Sequence, residues 1–344
     1  MLCRLYLPHV GGVERHVHAI VQEAAKDGHT ITIVTSLHDP ELSYVQQDFW
    51  QDELSDQIRI LRIPVRSSNS IIERIMLWTW MLRHVGLFIS ADRIHIHDVF
   101  FWAWPIRILL PWKKMYMTFH GFEAGRQVSA KAIRARQIAS RLTQGNIAVG
   151  AWIESWYKTK PTFVTYGGAT PHTSTSRKDR TAVFVGRLEE DTGILSVIEF
   201  AKKHHVMLDI FGDGPLQEKV KRMIKGSPWI QYLGVTKEEL LFVPYQYAFV
   251  SSYLSMLEAM QQKTLVVSFA VNELKVDYLA CHPVVKAMVV VKSMSELEPW
   301  GEKLNAQDED HMVEQAYTWA VSQTWKSVYD SCYAPLWHIT PSHS

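Results

Sequence analysis

Along the first third of the chain, short apolar runs alternate with stretches in which apolar residues recur every three or four positions. LCRLYL (2–7) reads as a short strand, GGVERHVHAIVQEAAKDG (11–28) as an amphipathic helix stopped by Gly28, and HTITIVTS (29–36) as a β-branched strand. Such a βαβ unit implies a right-handed crossover and a parallel sheet. RILRIPV (59–65), DRIHIHDV (92–99), KMYMTFHG (114–121), NIAVG (146–150) and PTFVTYGG (161–168) supply further strands, with helices over 71–88 and 127–143. PHTSTSRKDR (171–180) is polar, lacks an apolar period and reads as a linker. A second series follows: TAVFVGRL (181–188), a helix over 193–203, VMLDIFGDGP (206–215), a helix to about 225, IQYLG (230–234), YAFVSS (247–252), a helix around LEAM, and TLVVSF (264–269). The stretch 311–335, rich in Trp and Tyr, reads as one last helix.

Strand followed by helix recurs in both halves, so the pattern predicts an α/β protein of two doubly wound, Rossmann-like domains. The expected boundaries are 1–170 for the first, 171–180 for the linker, 181–320 for the second, and 321–344 for a final helix and tail. A chain of 344 residues is longer than one ordinary core, which agrees with this division.

Charge changes the picture slightly. The chain holds 36 Lys and Arg against 35 Asp and Glu, which argues against a nucleic-acid protein that neutralises phosphates over a broad face. Residues 1–170 carry a net charge of +5 and the remainder −4, so a basic half precedes an acidic one. Cys3, Cys281 and Cys332 are far apart and suggest neither a disulfide framework nor a zinc site. MLCRLYLPHVGG is interrupted too early to read as a signal peptide. The most apolar stretch, IIERIMLWTWMLRHVGLFI (71–89), contains Glu73, Arg74 and Arg83 and is not expected to span a membrane.

In open parallel sheets, ligands bind beyond the carboxyl ends of the strands, which makes the residues just after each strand the informative ones. Gly11 and Gly12 follow the first strand and lead into a helix, where backbone can approach a ligand and negative charge is favoured. The spacing is not the G-x-G-x-x-G of a dinucleotide site, and that pattern occurs nowhere in the chain. His97 and Asp98 end another strand, and His120 and Gly121 a third. Arg187 follows VFVG, and its rigid donor fork suits a diphosphate. Gly212, in FGDGP, follows the same rule. Glu258 is the one acidic residue in YAFVSSYLSMLEAMQQKTLVVSF (247–269). Near the start of a helix it can accept two ribose hydroxyls, with Ser255 and the N–H groups of Leu254 to Met256 offering donors to phosphate. A solvent-facing charge is the plain alternative, and the apolar neighbours of Glu258 oppose it.

At these positions the chain resembles the GT-B glycosyltransferases of family 4. The matching segments are PHVGGVERHV (8–17), DRIHIHD (92–98), TFHG (118–121), VGRLEEDTG (185–193), IFGDGP (210–215), YLG (232–234) and LEAM (257–260), together with the Trp/Tyr-rich final helix. The resemblance implies two Rossmann-like domains facing a cleft, an acceptor-side first domain, a donor-binding second domain, and a final helix that packs back on the first. It implies that Glu258 holds the donor ribose, Arg187 the diphosphate, that Gly11 and Gly12 approach phosphate and acceptor, and that His120 sits beside the transferred sugar. Two departures stand out. The family's first glutamate, eight positions before the second, is Val250 here, so that Ser252, Tyr253 or Ser255 would have to read the sugar. The lysine that commonly follows the Gly-Arg pair is Thr192.

The expected function is retaining transfer of a sugar from a nucleoside diphosphate sugar, a UDP- or GDP-sugar, to a hydroxyl acceptor. A glycan or lipid-linked sugar of surface polysaccharide or envelope assembly is the expected acceptor, with no metal and no further cofactor. His120, Arg187 and Glu258 are the expected catalytic group, and Glu14 and His97 the acceptor-side candidates. A nucleotide-sugar binding protein without turnover and a GT-B sugar-nucleotide epimerase remain as alternatives. WTWMLR (78–83) and FFWAWPIRILLPWKK (100–114) place tryptophans beside cations, the mixture of a face at a bilayer interface, although core packing would use many of the same residues. A cytoplasmic protein, peripheral at the inner face of the membrane, is the matching location.

Overall fold

The structure is a computed structural model and describes residues 1–9, 11–37, 51–65, 69–121, 128–171, 180–236, 241–298 and 306–338. The chain divides into two compact units. One gathers Met1–Gly121, Val128–Thr165 and Trp325–Ser344, the other Phe122–Gln127 and Tyr166–Thr324. Of the expected linker, 172–179 lie outside the described residues.

In the first unit, strands β1 (Ile31–Ser36), β2 (Gln51–Ser55) and β3 (Ile58–Ile63) form one ladder in the order β1-β3-β2, with β2 antiparallel at its edge. A second ladder, all parallel, runs β4 (Arg93–His97), β5 (Lys114–Phe119), β6 (Gly145–Val149), β7 (Phe163–Thr165). The expected strand 2–7 is reduced to a bridge at Leu2, which pairs with Val34 on one side and Ile96 on the other. Leu2 N donates to His95 O at 2.8 Å and His97 N to Leu2 O at 2.8 Å. Beyond Arg4 the backbone leaves the ladder for a turn at 7–9, and Arg62 Nη2 donates to the Leu7 carbonyl there at 2.7 Å. The Leu2 segment therefore stands where the strand order reverses, with β1 and β3 to one side and β4 to β7 to the other.

Helix α1 (Gly12–Lys26) covers this sheet with Val17, Ile20, Val21 and Ala24, all fully buried. Their i, i+3, i+4, i+7 spacing puts them on one stripe, and each large aliphatic among them contributes about 1.5–3 kcal/mol by leaving water. The same core includes Tyr329, Tyr333, Leu336 and Trp337 of the last segment. The expected helix 311–335 is two elements. One helix, Ala306–Ala320, belongs to the second unit, the chain turns at 321–324, and helix restarts at Trp325 in the first. The turn is closed by Ser322 N to Trp319 O at 3.2 Å and Gln323 N to Ala320 O at 3.0 Å. The expected helix 71–88 is likewise divided at His84, into α2 (Ser70–Arg83) and α3 (Val85–Ser90).

The second unit is one parallel sheet in the order β10-β9-β8-β11-β12-β13, formed by β8 (Arg180–Val185), β9 (Leu208–Phe211), β10 (Ile230–Gly234), β11 (Tyr245–Val250), β12 (Leu265–Phe269) and β13 (Val289–Val291). This is the 3-2-1-4-5-6 order of a doubly wound fold, and it switches between β8 and β11. Every residue of β12 is buried, as expected for a strand with both faces covered.

Candidate functional site

Register fixes which loops are neighbours at the carboxyl edge of the second unit. Val185 pairs with Phe211 on one side and with Val250 on the other, so Gly212, Gly186–Arg187 and Ser251–Ser252 lie in a row. Gly212 is required by that closeness. Its φ is +142°, and a Cβ there would overlap the carbonyl oxygen of Gly186. Gly186 N donates to Phe211 O at 3.2 Å and Leu188 N to Asp213 O at 2.8 Å, which ties the two loops together.

Arg187 reaches out from this row. Its side chain is 57% exposed, with one Nη at 3.2 Å from Glu189 Oε1. Thr192 is buried, and its hydroxyl donates to the Glu189 carbonyl at 2.7 Å inside the 3-10 turn Glu190–Thr192. Across the switch point, Ser252 is the N-cap of α9 (Tyr253–Gln261), accepting from Ser255 N and donating to Ser255 Oγ at 3.0 Å. Six of the nine residues of α9 are buried, leaving Leu254, Ser255 and Glu258 as the more open face. Ser255 and Glu258 are one turn apart on it. Glu258 thus sits in the second turn, at the edge of the core.

Tyr253 does not share that face. Its ring is stacked on Tyr278 at 3.9 Å, and its hydroxyl donates to the Tyr278 carbonyl at 2.5 Å while Tyr253 N donates to Tyr278 Oη at 2.8 Å. A hydroxyl turned into the core is not aimed at a ligand beyond the strand ends.

A cation that sequence reasoning missed lies in the same row. Lys275, in α10 (Glu273–Ala280), is 4% exposed and donates through Nζ to Ser251 O at 2.6 Å, with the ammonium 4.5 Å from the Tyr278 ring centre. Burial brings its pKa down to about 8, the nearby Asp191 opposing and Arg187 adding to the shift. The signal was available: Asn272 and Lys275 follow strand TLVVSF just as Arg187 follows its own strand.

In the first unit, Gly11 is the N-cap of α1, and the space a Cβ would fill there is taken by the carboxylate of Glu14. Glu14, 7% exposed, is folded back over the helix start, where its charge is favoured. Gly12 is open to solvent. Across the reversal of strand order, β4 and the end of β5 bring three histidines, His95, His97 and His120, into one group with His16 of α1. His97 Nδ1 lies 3.0 Å from His120 Nε2, and the His16 ring meets the His120 ring edge-on at 4.9 Å. His95 completes the group, its ring 5.0 Å from that of His97.

The protons in this group can be assigned. Trp337 Nε1 can only donate, so His95 Nδ1 accepts at 2.9 Å and the neutral ring donates through Nε2 to Thr118 Oγ1 at 2.8 Å. Directing the Thr118 hydroxyl at Tyr333 (2.9 Å) and the Tyr333 hydroxyl at His16 Nε2 (2.8 Å) keeps every proton of the row in a bond. His97 Nε2 is buried with no partner. An orphan acceptor costs less than an orphan N–H, which puts the His97 proton on Nδ1, donating to His120 Nε2, and leaves His120 Nδ1 as a donor.

Burial holds His16, His95 and His97 well below the usual histidine range. Burial, with the Arg136 guanidinium second, brings His120 to about 3. All four are neutral near pH 7 and act as hydrogen-bonding groups, not as cations. Asp98, at φ +60°, turns the chain so that its carboxylate accepts His120 N at 3.1 Å and meets Arg136 Nη1 at 3.3 Å. Arg136 in turn lies 4.0 Å over the Tyr157 ring. His16, His97, Asp98 and Arg136 surround His120, with His95 packed against His97, and of these only His97 and Asp98 were marked by their place at a strand end. Among the described residues, no three His, Cys, Asp or Glu side chains are grouped to hold a metal ion.

Residues 10–162 match the sequence model of Glycosyltransferase Family 4. Three solved structures share the fold along nearly the whole chain. A glycosyltransferase from Rickettsia africae ESF-5 is 14% identical with a TM-score of 0.70, over 97% of both chains. WaaG, a glycosyltransferase involved in lipopolysaccharide biosynthesis, is 14% identical with a TM-score of 0.67, over 97% of this chain and 98% of that one. Anabaena Alr3699/HepE, in complex with UDP and glucose, is 12% identical with a TM-score of 0.70, over 98% of both. No curated protein sequence matches the chain. At these identities the structural likeness is one of fold.

Proposed function

We propose, from the family 4 match over residues 10–162 and the GT-B fold along the whole chain, that this protein is a glycosyltransferase that moves a sugar from a nucleoside diphosphate sugar to a hydroxyl acceptor with retention at the anomeric carbon. The observation that carries this reading is the switch point of the second unit, where Arg187 and the Ser255–Glu258 face of α9 flank neighbouring strand ends.

In the proposed reaction Glu258 accepts the ribose hydroxyls, and the N-terminus of α9 meets the phosphates. Arg187 neutralises the departing diphosphate. With Thr192 in place of a lysine, the buried Lys275 ammonium beside Arg187 supplies the second positive charge. As the bond from the anomeric carbon to the β-phosphate oxygen breaks, the acceptor oxygen bonds to that carbon from the same face, and its proton passes to the departing phosphate. No second carboxylate is needed for that route, in contrast to the paired carboxylates of retaining glycosidases. His120, neutral and held by Asp98, donates a hydrogen bond through Nδ1 to the donor sugar. Glu14 is the proposed acceptor-side residue, whereas His97, buried and donating to His120, holds that ring in place instead of meeting the acceptor. A UDP-sugar is the favoured donor, since HepE of the same fold binds UDP and UDP-glucose. A lipid-linked or polysaccharide acceptor is favoured by the basic, tryptophan-bearing surface of the first unit.

Release of nucleoside diphosphate from UDP-, GDP-, ADP- and dTDP-sugars, with and without glycan acceptors, tests this. One donor is expected to turn over, and Arg187→Ala to slow it by about a hundredfold, the scale of losing one charge-stabilising donor. Wild-type turnover in Arg187→Ala would remove Arg187 from the site.

A further inference from the structure

Exposed apolar surface is unevenly spread over this chain. Among the described residues, eighteen large hydrophobic side chains stand exposed, and eleven of them lie between Ile71 and Trp112. Helix α2 buries Leu77 and Met81, yet Ile71, Ile72, Ile75, Met76 and Leu82 are exposed. At 3.6 residues per turn these five fall on the side away from Leu77 and Met81. A helix on the surface of a soluble protein carries one apolar face; α2 carries two.

The second exposed set adjoins the first. Phe101, and then Trp104, Ile108 and Leu109 of the short helix α4 (Trp104–Leu109), are exposed, and Trp112 just beyond it is 72% exposed. Trp78 Nε1 donates to the Phe101 carbonyl at 2.8 Å, and the Arg74 guanidinium lies 5.9 Å from the Phe101 ring centre. Both contacts come from the edge of the α2 stripe, so the two sets form one patch. Segments 70–91 and 100–114 contain five basic residues, Arg74, Arg83, Arg107, Lys113 and Lys114, against one acidic residue, Glu73.

We propose that this face of the first unit docks on the surface of an anionic phospholipid bilayer, with the isoleucines and Trp112 entering the headgroup boundary and the exposed Arg74 and Arg83 meeting lipid phosphates. Charge decides for this occupant. Aliphatic tips bordered by arginine, lysine and tryptophan match an interface that is apolar below and negatively charged at its surface. No helix of the described residues is long and apolar enough to cross a membrane, so the contact is peripheral. Docking does not depend on the proposed glycosyl transfer, and nucleotide binding measured in parallel separates the two.

The test is flotation of the purified full chain with vesicles of phosphatidylcholine alone and of phosphatidylcholine mixed with phosphatidylglycerol. Binding is expected on the mixed vesicles, about tenfold weaker on the neutral ones, and weakened by salt. Ile75→Glu and Trp112→Glu, both at exposed positions, should each lower binding about tenfold, the scale of one apolar contact replaced by a charge, with nucleotide affinity unchanged. Absence from both vesicle fractions, or variants that float like the wild type, would overturn the proposal. A wild-type dimer that Ile75→Glu converts to a monomer, without vesicle binding, would assign the face to a second copy of the chain instead.

Discussion

His16, His95, His97 and His120 show how one burial decision sets both chemistry and stability. Their pKa values in the folded chain lie below the ordinary value near 6.5. The unfolded chain therefore binds more protons than the folded one below about pH 6.5. The stability they contribute is complete above that pH and is lost as pH falls toward the folded values, by up to about 1.4 kcal/mol per pH unit for each group. Chemical denaturation should show a midpoint that drops progressively from about pH 7 to about pH 5, a range in which most carboxylates do not titrate. A constant midpoint would mean that the four rings become charged without penalty. Of this group the sequence marked His97, His120 and Asp98, because they end strands. His16 and His95 looked like ordinary helix and strand positions, and Arg136 comes from a helix far along the chain; only tertiary packing brings them together. Lys275 sat in view after a strand, but a lysine on an amphipathic helix normally points to water.

At the scale of elements, apolar runs located most strands of both sheets, since parallel strands buried on both faces must be apolar throughout. Antiparallel β2 and the three-residue β13 were not read, the first for lacking an apolar run and the second for its shortness. Periodicity also joined what the structure separates, because 311–335 keeps its aromatic spacing across the turn at 321–324. The strand-end rule places Gly212, and its geometry supports a prediction. Gly212→Ala must move either its own backbone or that of Gly186, at about 1–3 kcal/mol for the unfavourable φ alone. Thermal unfolding should shift downward and nucleotide binding weaken, because the Gly186–Arg187 loop is displaced. An unchanged melting temperature and affinity would show that the two loops can separate freely.

For the whole molecule, the 3-2-1-4-5-6 sheet of the second unit and the similar reversal around Leu2 in the first were legible only as a repeated strand–helix alternation; strand order needed the structure. That order is what turns scattered residues into neighbours, since it sets Arg187 and the start of α9 on either side of one switch point. The central claim is that this switch point holds the nucleotide of a donor sugar, with Glu258 reading the ribose. Isothermal titration of the full chain with UDP and GDP, comparing wild type with Glu258→Gln, tests it most directly. The substitution keeps the shape and removes the charged acceptor, so affinity for the preferred nucleotide should fall by about tenfold or more, as for loss of a charge-assisted hydrogen bond. Equal affinity in the two proteins, or no binding of any nucleotide by the folded wild type, would contradict the account.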